Sequence, residues 1–379
     1  AGIRMVMVTG DYGLTAESVA RRVGMLTTPR PRILIGAEMD TLDDAALQAA
    51  LDEEVICARV APEHKLRLVA AFQARGEVVA VTGDGVNDVP ALRKADIGIV
   101  MGVTGTDVAK EAADVILTGD NFANIASAIE EGRAVYDNIR KFMTYIFASN
   151  VPEIMSFILG VLLEIPIVLT VAQILAIDLG TDLLPALALG TERPEPNVMR
   201  RPPRRRDQSL LDSRLVARAL WLGGIETALC YAGFFWVNNR FGYTDFLHLV
   251  HPDWQPFADR LATEMGRVYV LASTVFHAGV VTAQIGNAFA CRTEKELVRR
   301  MGWFTNRFLL LGIGVEALLI LLMIYLPPLA WVFEHRPLPL TWWAGLILYA
   351  PALYLLEWVR KHILRVRERV RGHPVSTQA

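Results

Sequence analysis

The sequence predicts an α/β domain built on a parallel sheet over residues 1–125, a charged stalk helix over residues 126–142, and an all-α membrane part, a six-helix transmembrane bundle over residues 143–359. Three observations predict it. In the first third, apolar runs of strand length alternate with helix-forming stretches, the grammar of a parallel α/β sheet. The remainder holds six apolar stretches, each near the roughly 20 residues that a bilayer core requires. The 379 residues are 53% hydrophobic and only 21% charged, too apolar for an ordinary soluble chain.

The strand-like runs are Arg4–Val8, Ile33–Ile35, Val55–Val60, Val78–Val81, Ile97–Met101 and Val115–Leu117. Val78–Val81 is uniformly apolar and reads as a fully buried parallel strand. Ala45–Leu51 and Pro62–Arg75 carry helical periodicity and good helix formers. From Asn121 to Thr144 the charges mix, with Glu130, Glu131, Arg133, Arg140 and Lys141, and the helix then runs into apolar sequence. The six spans fall near 143–163, 167–189, 216–237, 267–289, 305–326 and 341–359.

The turns Glu164–Pro166 and Pro327–Leu340 are poor in Lys and Arg, whereas Arg200–Arg206, Arg292–Arg300 and Arg360–Arg371 are rich in them. The positive-inside rule then puts the basic blocks, the α/β domain, both chain ends and a basic tail over 360–379 on the cytoplasmic side. This is the pattern of a multi-pass integral protein; the plasma membrane is the bilayer expected from the family resemblance given below. The run RRPPRRR reads as a topology signal or a contact to anionic lipid, and nucleic acid is not an expected partner. Cys57, Cys230 and Cys291 lie far apart without metal-ligand spacing, which argues against disulfides and zinc. The chain begins at Ala1, and it is expected to belong to something longer.

Thr82–Leu92, TGDGVNDVPAL, places Asp84, Asn87 and Asp88 just past an apolar strand, where ligands of open α/β sheets collect. Carboxylate oxygens there suit Mg²⁺, and Gly83 and Gly85 allow a phosphate close to the backbone. A tight Asx-type turn with solvated acids is the competing reading. A calcium loop is excluded by its spacing.

The first two spans contain Glu153, Asp178 and Asp182, each costing about 2.5–3.5 kcal/mol at mid-bilayer on insertion scales. Asp178 and Asp182 are four apart and would share a helix face. Pro152 and Pro185 would free the carbonyls of Ala148 and Thr181, and broken membrane helices bind cations with such carbonyls beside acids. Ser149, Asn150 and Thr181 add neutral oxygens, and Glu316 is a fourth buried acid, either an ion ligand or a packing acid. Glu226 reads as structural, and Gln284 and Asn287 either supply neutral oxygens or, the commoner role, make polar contacts between helices.

VTGD at Val8–Asp11, ARVAPEHKLRLV at Ala58–Val69, VTGDGVNDVPALRKADIGIVMG at Val81–Gly102 and DNFANI at Asp120–Ile125 together resemble the P-type cation-transporting ATPases, in that family's order. The resemblance covers nearly the whole chain. It implies a haloacid-dehalogenase-like phosphorylation domain, here its C-terminal part, followed by the last six of ten membrane helices. Its implied cofactors are Mg²⁺ and ATP. By resemblance Asp84 is a Mg²⁺ ligand, with Asp88 and Asn87 ordering the phosphate site and Asp88 beside the metal. Lys65 matches the lysine that contacts the phosphoryl group. Thr9, Gly10 and Asp11, with Arg59, Thr82 and Gly83, match the nucleotide and phosphate loops.

SNVPEI and IDLGTDLLPALALG resemble the sodium/potassium and proton/potassium branch more than the calcium pumps. That implies transported monovalent cations, Na⁺ or K⁺, and a small accessory subunit as a partner. Ser149 stands where proton/potassium pumps typically carry Lys. Asn287, in place of an acid, and the Arg-rich tail depart from that branch. No DKTG occurs, so the phosphorylated aspartate is expected in a missing N-terminal portion of the same pump, and this chain alone should be inactive. A calcium pump and a non-catalytic cation-binding membrane module are the alternatives. A dehalogenase-type phosphatase lacks its DxD nucleophile motif.

Overall fold

The computed structural model describes residues 1–204, 206, 208–243, 256–294 and 296–370, with side chains to 367. Arg205 and Lys295 of the basic blocks, and residues 371–379 of the expected tail, lie outside the described residues. The chain divides into two compact units, Ala1–Glu131 with Asn197–Gln208, and Gly132–Pro196 with Ser209–Ala379.

In the α/β unit the order is β1 (Met7–Val8), α1 (Gly13–Arg22), β2 (Arg32–Ile35), α2 (Gly36–Met39), α3 (Asp44–Ala50), β3 (Val55–Ala58) and α4 (Pro62–Ala74). Then follow β4 (Ala80–Gly83), a 3₁₀ turn at Val86–Asp88, α5 (Val89–Lys94), β5 (Ile97–Met101), α6 (Asp107–Ala112) and β6 (Val115–Leu117). All strand pairs are parallel, as the alternating pattern requires. The strands form two three-stranded sheets, β1-β3-β2 and β4-β5-β6. Val55–Ala58 is buried throughout because β3 is central, paired on both edges. Its Cys57 packs with Leu34, Leu47, Leu68 and Phe72 from the elements around it.

The expected fully buried strand at Val78–Val81 is corrected. The strand lies two residues later, Val78 is 58% exposed, and β4 alternates between exposed and half-buried. Among the described residues β4 is an edge of its sheet, paired only with β5. Apolar content alone could not tell an edge from a centre. Asp96 fixes where the pairing begins: its N–H donates to Val79 O, and its carboxylate accepts from Val79 N–H at 2.9 Å.

α7 (Asn124–Leu163) is one 40-residue helix that begins in the first unit and continues in the second, so the stalk and the first span share it. The second span is α8 (Val171–Ala176), a π turn at Ile177–Thr181 and α9 (Leu183–Leu189). After it come α10 (Ser213–Arg240), α11 (Phe257–Ala262), α12 (Glu264–Cys291), α13 (Val298–Met301), α14 (Arg307–Tyr325), α15 (Pro327–Val332), α16 (Leu340–Leu346) and α17 (Tyr349–Val370). Among the described residues six helices are long and apolar enough to cross a membrane. The chain is an integral membrane protein. α12 is its centre, buried along nearly its whole length.

The tail expected to start at 360 continues α17 as far as Val370. Its Lys361 is buried, donating to Ala290 O, Thr293 O and Thr293 Oγ1 just past the end of α12. A cation at a helix C-terminus satisfies the last free carbonyls, which explains a buried lysine in an otherwise basic stretch. Asn197–Gln208, which carries most of RRPPRRR, belongs to the α/β unit. There Arg206 lies 3.7 Å from Asp96, and a Cβ on Gly2 would come 3.1 Å from Pro203.

Candidate functional site

The loops that leave β1 and β3 are tied together. Asp11 N–H donates to Thr9 Oγ1 at 3.1 Å, and the N–H groups of Arg59 and Val60 donate to Asp11 O and Thr9 O. Arg59 holds a left-handed φ of 52° and sets its guanidinium 4.8 Å from the Tyr12 ring centre. Such a conformation costs about 1–3 kcal/mol and clusters at functional loops. Gly10 and Asp11 are exposed.

Lys65, in the first turn of α4, reaches Asp88 Oδ1 at 2.5 Å. Asp88 Oδ2 accepts the N–H groups of Asp84 and Gly85, both at 3.3 Å. Gly83 is dictated by this packing, since a Cβ there would lie 2.5 Å from the Asp88 Cβ. Asp88 is buried, while Thr82, Asp84 and Asn87 are exposed. The two acids of the loop therefore differ. Asp88 braces the turn from inside with both oxygens engaged, and Asp84 points its carboxylate outward. Mg²⁺ takes one or two protein carboxylates and keeps several waters, and the open carboxylate of Asp84 suits it.

Two further acids hold the surrounding loops. The Val79 N–H holds the Asp96 carboxyl below its usual range, with Gln73 and Arg206 adding to the effect. The N–H groups of Val103 and Thr104 do the same for Asp120, which closes the loop after β5. Both acids lie within the family-like blocks, but their backbone partners are visible only in the structure.

In the helical unit, Ser149 Oγ donates to Tyr145 O at 3.0 Å and Thr181 Oγ1 to Ile177 O at 3.2 Å. Each hydroxyl keeps its lone pairs for a cation. Tyr145 Oη donates to Asp182 Oδ1 at 3.4 Å. The remaining polar atoms are buried without partners among the described residues: Asn150 Oδ1, Glu153 Oε1, Asp182 Oδ2 and both oxygens of Glu316. Asp182 and Glu316 are each 1% exposed. Unpaired buried oxygens are costly, and they point to a bound ion or water.

Asp178, expected on one face with Asp182, is exposed, whereas Asp182 is buried. Asp178 lies within the π turn, at whose end Asp182 N–H bonds back to Ile177 O, five residues away. Asp178 still lies close enough to act electrostatically on Glu153 and Asp182. Glu316 comes to the same place from α14, whose Gly312 sits one turn earlier and would put a Cβ 3.0 Å from Pro185 N. The structure thus gathers Ser149, Asn150, Glu153, Thr181, Asp182 and Glu316.

Gln284, expected to supply a neutral oxygen or a polar contact between helices, is fully buried with neither amide atom in a close hydrogen bond among the described residues. Asn287 does bridge helices, with Nδ2 donating to Tyr145 O at 3.5 Å. The sequence also gave no sign that Arg292 and Glu192, 100 residues apart, form a buried pair at 2.6 Å.

Residues 166–363 match the family model described as cation transporting ATPase, C-terminus, and residues 1–96 match that of haloacid dehalogenase-like hydrolases. The chain is 35% identical to the sodium/potassium-transporting ATPase subunit alpha-4 of Rattus norvegicus, over 97% of the chain and 39% of that protein. The corresponding human alpha-2 subunit gives 35% over 96% and 39%. A calcium-transporting ATPase of Bacillus subtilis (strain 168) is 40% identical over 88% of the chain and 35% of its own length. The chain thus spans about two fifths of the length of the relatives it matches.

Proposed function

The chain belongs to the P-type cation-transporting ATPases, and from that premise we propose that it supplies the Mg²⁺ and phosphate loops and the cation-binding helices of an ATP-driven pump for Na⁺ or K⁺. The observation that carries the reading is the set of buried, unpartnered oxygens on Asn150, Glu153, Asp182 and Glu316. Oxygen donors without compensating protein cations suit a hard cation, and the resemblance of SNVPEI and IDLGTDLLPALALG to the sodium/potassium branch supports Na⁺ or K⁺. In the α/β unit Asp84 would hold Mg²⁺, whose charge neutralises phosphate oxygens during transfer. Asp88 keeps the loop closed and Lys65 oriented, and Lys65 offers positive charge to a phosphoryl group. Thr9, Gly10, Asp11, Arg59 and Thr82 line the phosphate and nucleotide side.

In this proposal the acceptor aspartate belongs to the part of the pump beyond the 39% that the chain covers in its relatives. The pump would lie in the plasma membrane with both ends cytoplasmic, and a small accessory subunit would be its partner. A second reading, Ca²⁺ as cargo, is supported by the 40% identity to the Bacillus protein named as calcium-transporting.

The test is ion-stimulated ATP hydrolysis by the complete pump. Na⁺ or K⁺ should stimulate it, Asp182→Asn should remove that dependence, and Asp84→Asn should abolish turnover while cation binding persists. Stimulation by micromolar Ca²⁺ with no monovalent effect would replace the first reading with the second.

A further inference from the structure

Glu226 lies in the middle of α10, the third span, and is 0% exposed, with neither carboxylate oxygen partnered among the described residues. Nothing in the roles argued above uses it. A buried carboxylate in this state demands compensation, because uncompensated charge in a low-dielectric interior is strongly unfavourable.

Its neighbours on α10 show which way it faces. Leu222, four residues before it, packs in one cluster with Tyr145, Ala148 and Ala283. Gly223, three residues before it, lies so close to α7 that a Cβ would fall 2.4 Å from Val151 Cβ and 2.5 Å from Ala148 O. Residues three and four apart share a helix face, so Glu226 continues the face that abuts α7 beside Ser149, Asn150 and Glu153. The charges acting on it are Asp182, Glu316 and Glu153, all acids. On α12, Gln284 is 0% exposed and neither end of its amide is partnered among the described residues. Ala283, its neighbour in sequence, packs in the cluster that holds Leu222.

We infer that Glu226 is a ligand of the transported cation, contributed by α10 to the cluster formed by α7, the π turn and α14. A cation there offsets several carboxylates at once and gives the unpartnered oxygens of Glu226 a bond. Such a site takes a hard cation through oxygen alone. The inference rests on the cation-transport reading, but it assigns a residue that reading does not need.

The test is equilibrium binding of ²²Na⁺, ⁸⁶Rb⁺ and ⁴⁵Ca²⁺ to membranes holding the complete pump, comparing wild type, Glu226→Gln and Asp182→Asn. Glu226→Gln should weaken binding of the transported ion by about tenfold or more. If Asp182→Asn weakens binding and Glu226→Gln leaves it unchanged, Glu226 is a packing acid and this inference falls while the transport reading stands. If neither substitution changes binding, both fall. A second measurement needs no variant: carbodiimide labelling of the wild-type pump, mapped by mass spectrometry. Cation should protect Glu226 along with Glu153, and labelling of Glu226 that ignores a cation protecting Glu153 overturns the assignment.

Discussion

Asp88 in the α/β unit gives one oxygen to Lys65 and the other to two backbone N–H groups, whereas Glu316 in the helical unit has neither oxygen engaged among the described residues. The contrast extends to other acids. Asp96, Asp120 and Glu54 are held by N–H and hydroxyl donors, while Glu153, Asp182 and Glu226 keep open oxygens. It also runs inside the helical unit, where Glu192 is clamped by Arg292, and Glu357 by Arg218 and Arg360. The membrane part is therefore able to pair its buried acids, and does so where they are structural. Missing partners mark the place where an ion is expected instead.

The sharpest way to break this comparison is to remove a partner where one exists. Arg292→Met leaves Glu192 buried against Asn306, and stranding one member of a buried pair costs about 3–5 kcal/mol. Thermal unfolding of the complete pump in detergent should show a large loss. By the same measurement Glu316→Gln, which strands nothing, should change stability little. If the two losses were equal, the division between paired and open acids would be wrong.

Gly223→Val sharpens the comparison by moving the open acids apart. The added Cβ meets the Ala148 carbonyl and Val151, and overpacking of this kind costs about 1–3 kcal/mol. Cation affinity should fall along with stability, as read by radioisotope binding and a melting curve. Unchanged affinity would mean that α10 does not help shape the site.

The smallest effect tests the paired side. Hydrogen bonds from Thr28 and Thr27 hold Glu54 at about 2, against an ordinary 4.5. Because the folded value is the lower one, the stabilisation is complete above pH 4.5 and fades as the pH falls towards 2. Glu54→Gln should flatten the acid limb of stability in that window, read as melting temperature against pH. An unaltered limb would show that these bonds do not form in solution.

The six spans, the parallel strands and the acids of the first two spans were legible because length, alternation and charge in apolar sequence are local signals. What escaped depends on contacts between distant segments. β4 looked central because its residues are apolar, yet only its pairing decides whether it is an edge. Asp178 and Asp182 looked alike as acids in one apolar span, yet one is exposed and the other buried, and no residue in IDLGT announces the π turn. Glu226 reads as structural from its own span, and the acids that act on it come from other helices, none of them adjacent in sequence. The family resemblance marked Lys65 for function, and its ion pair with Asp88, 23 residues on, is visible only in the structure.

The π turn also governs how this span can change over generations. It carries one more residue than an α-helical turn, so the segments on either side are phased independently. Gln173 is fixed by Phe333 O and Ser273 on the α8 side, and Pro185 by Gly312 on the α9 side. Substitutions in Ile177–Thr181 leave both anchors in register, but deleting one residue would wind the turn tighter and swing one anchor off its partner. At Ile177, Leu179 and Gly180, which carry no proposed ligand, the stretch should therefore accept replacements far more readily than changes of length, and libraries scored for retained transport would show that asymmetry directly.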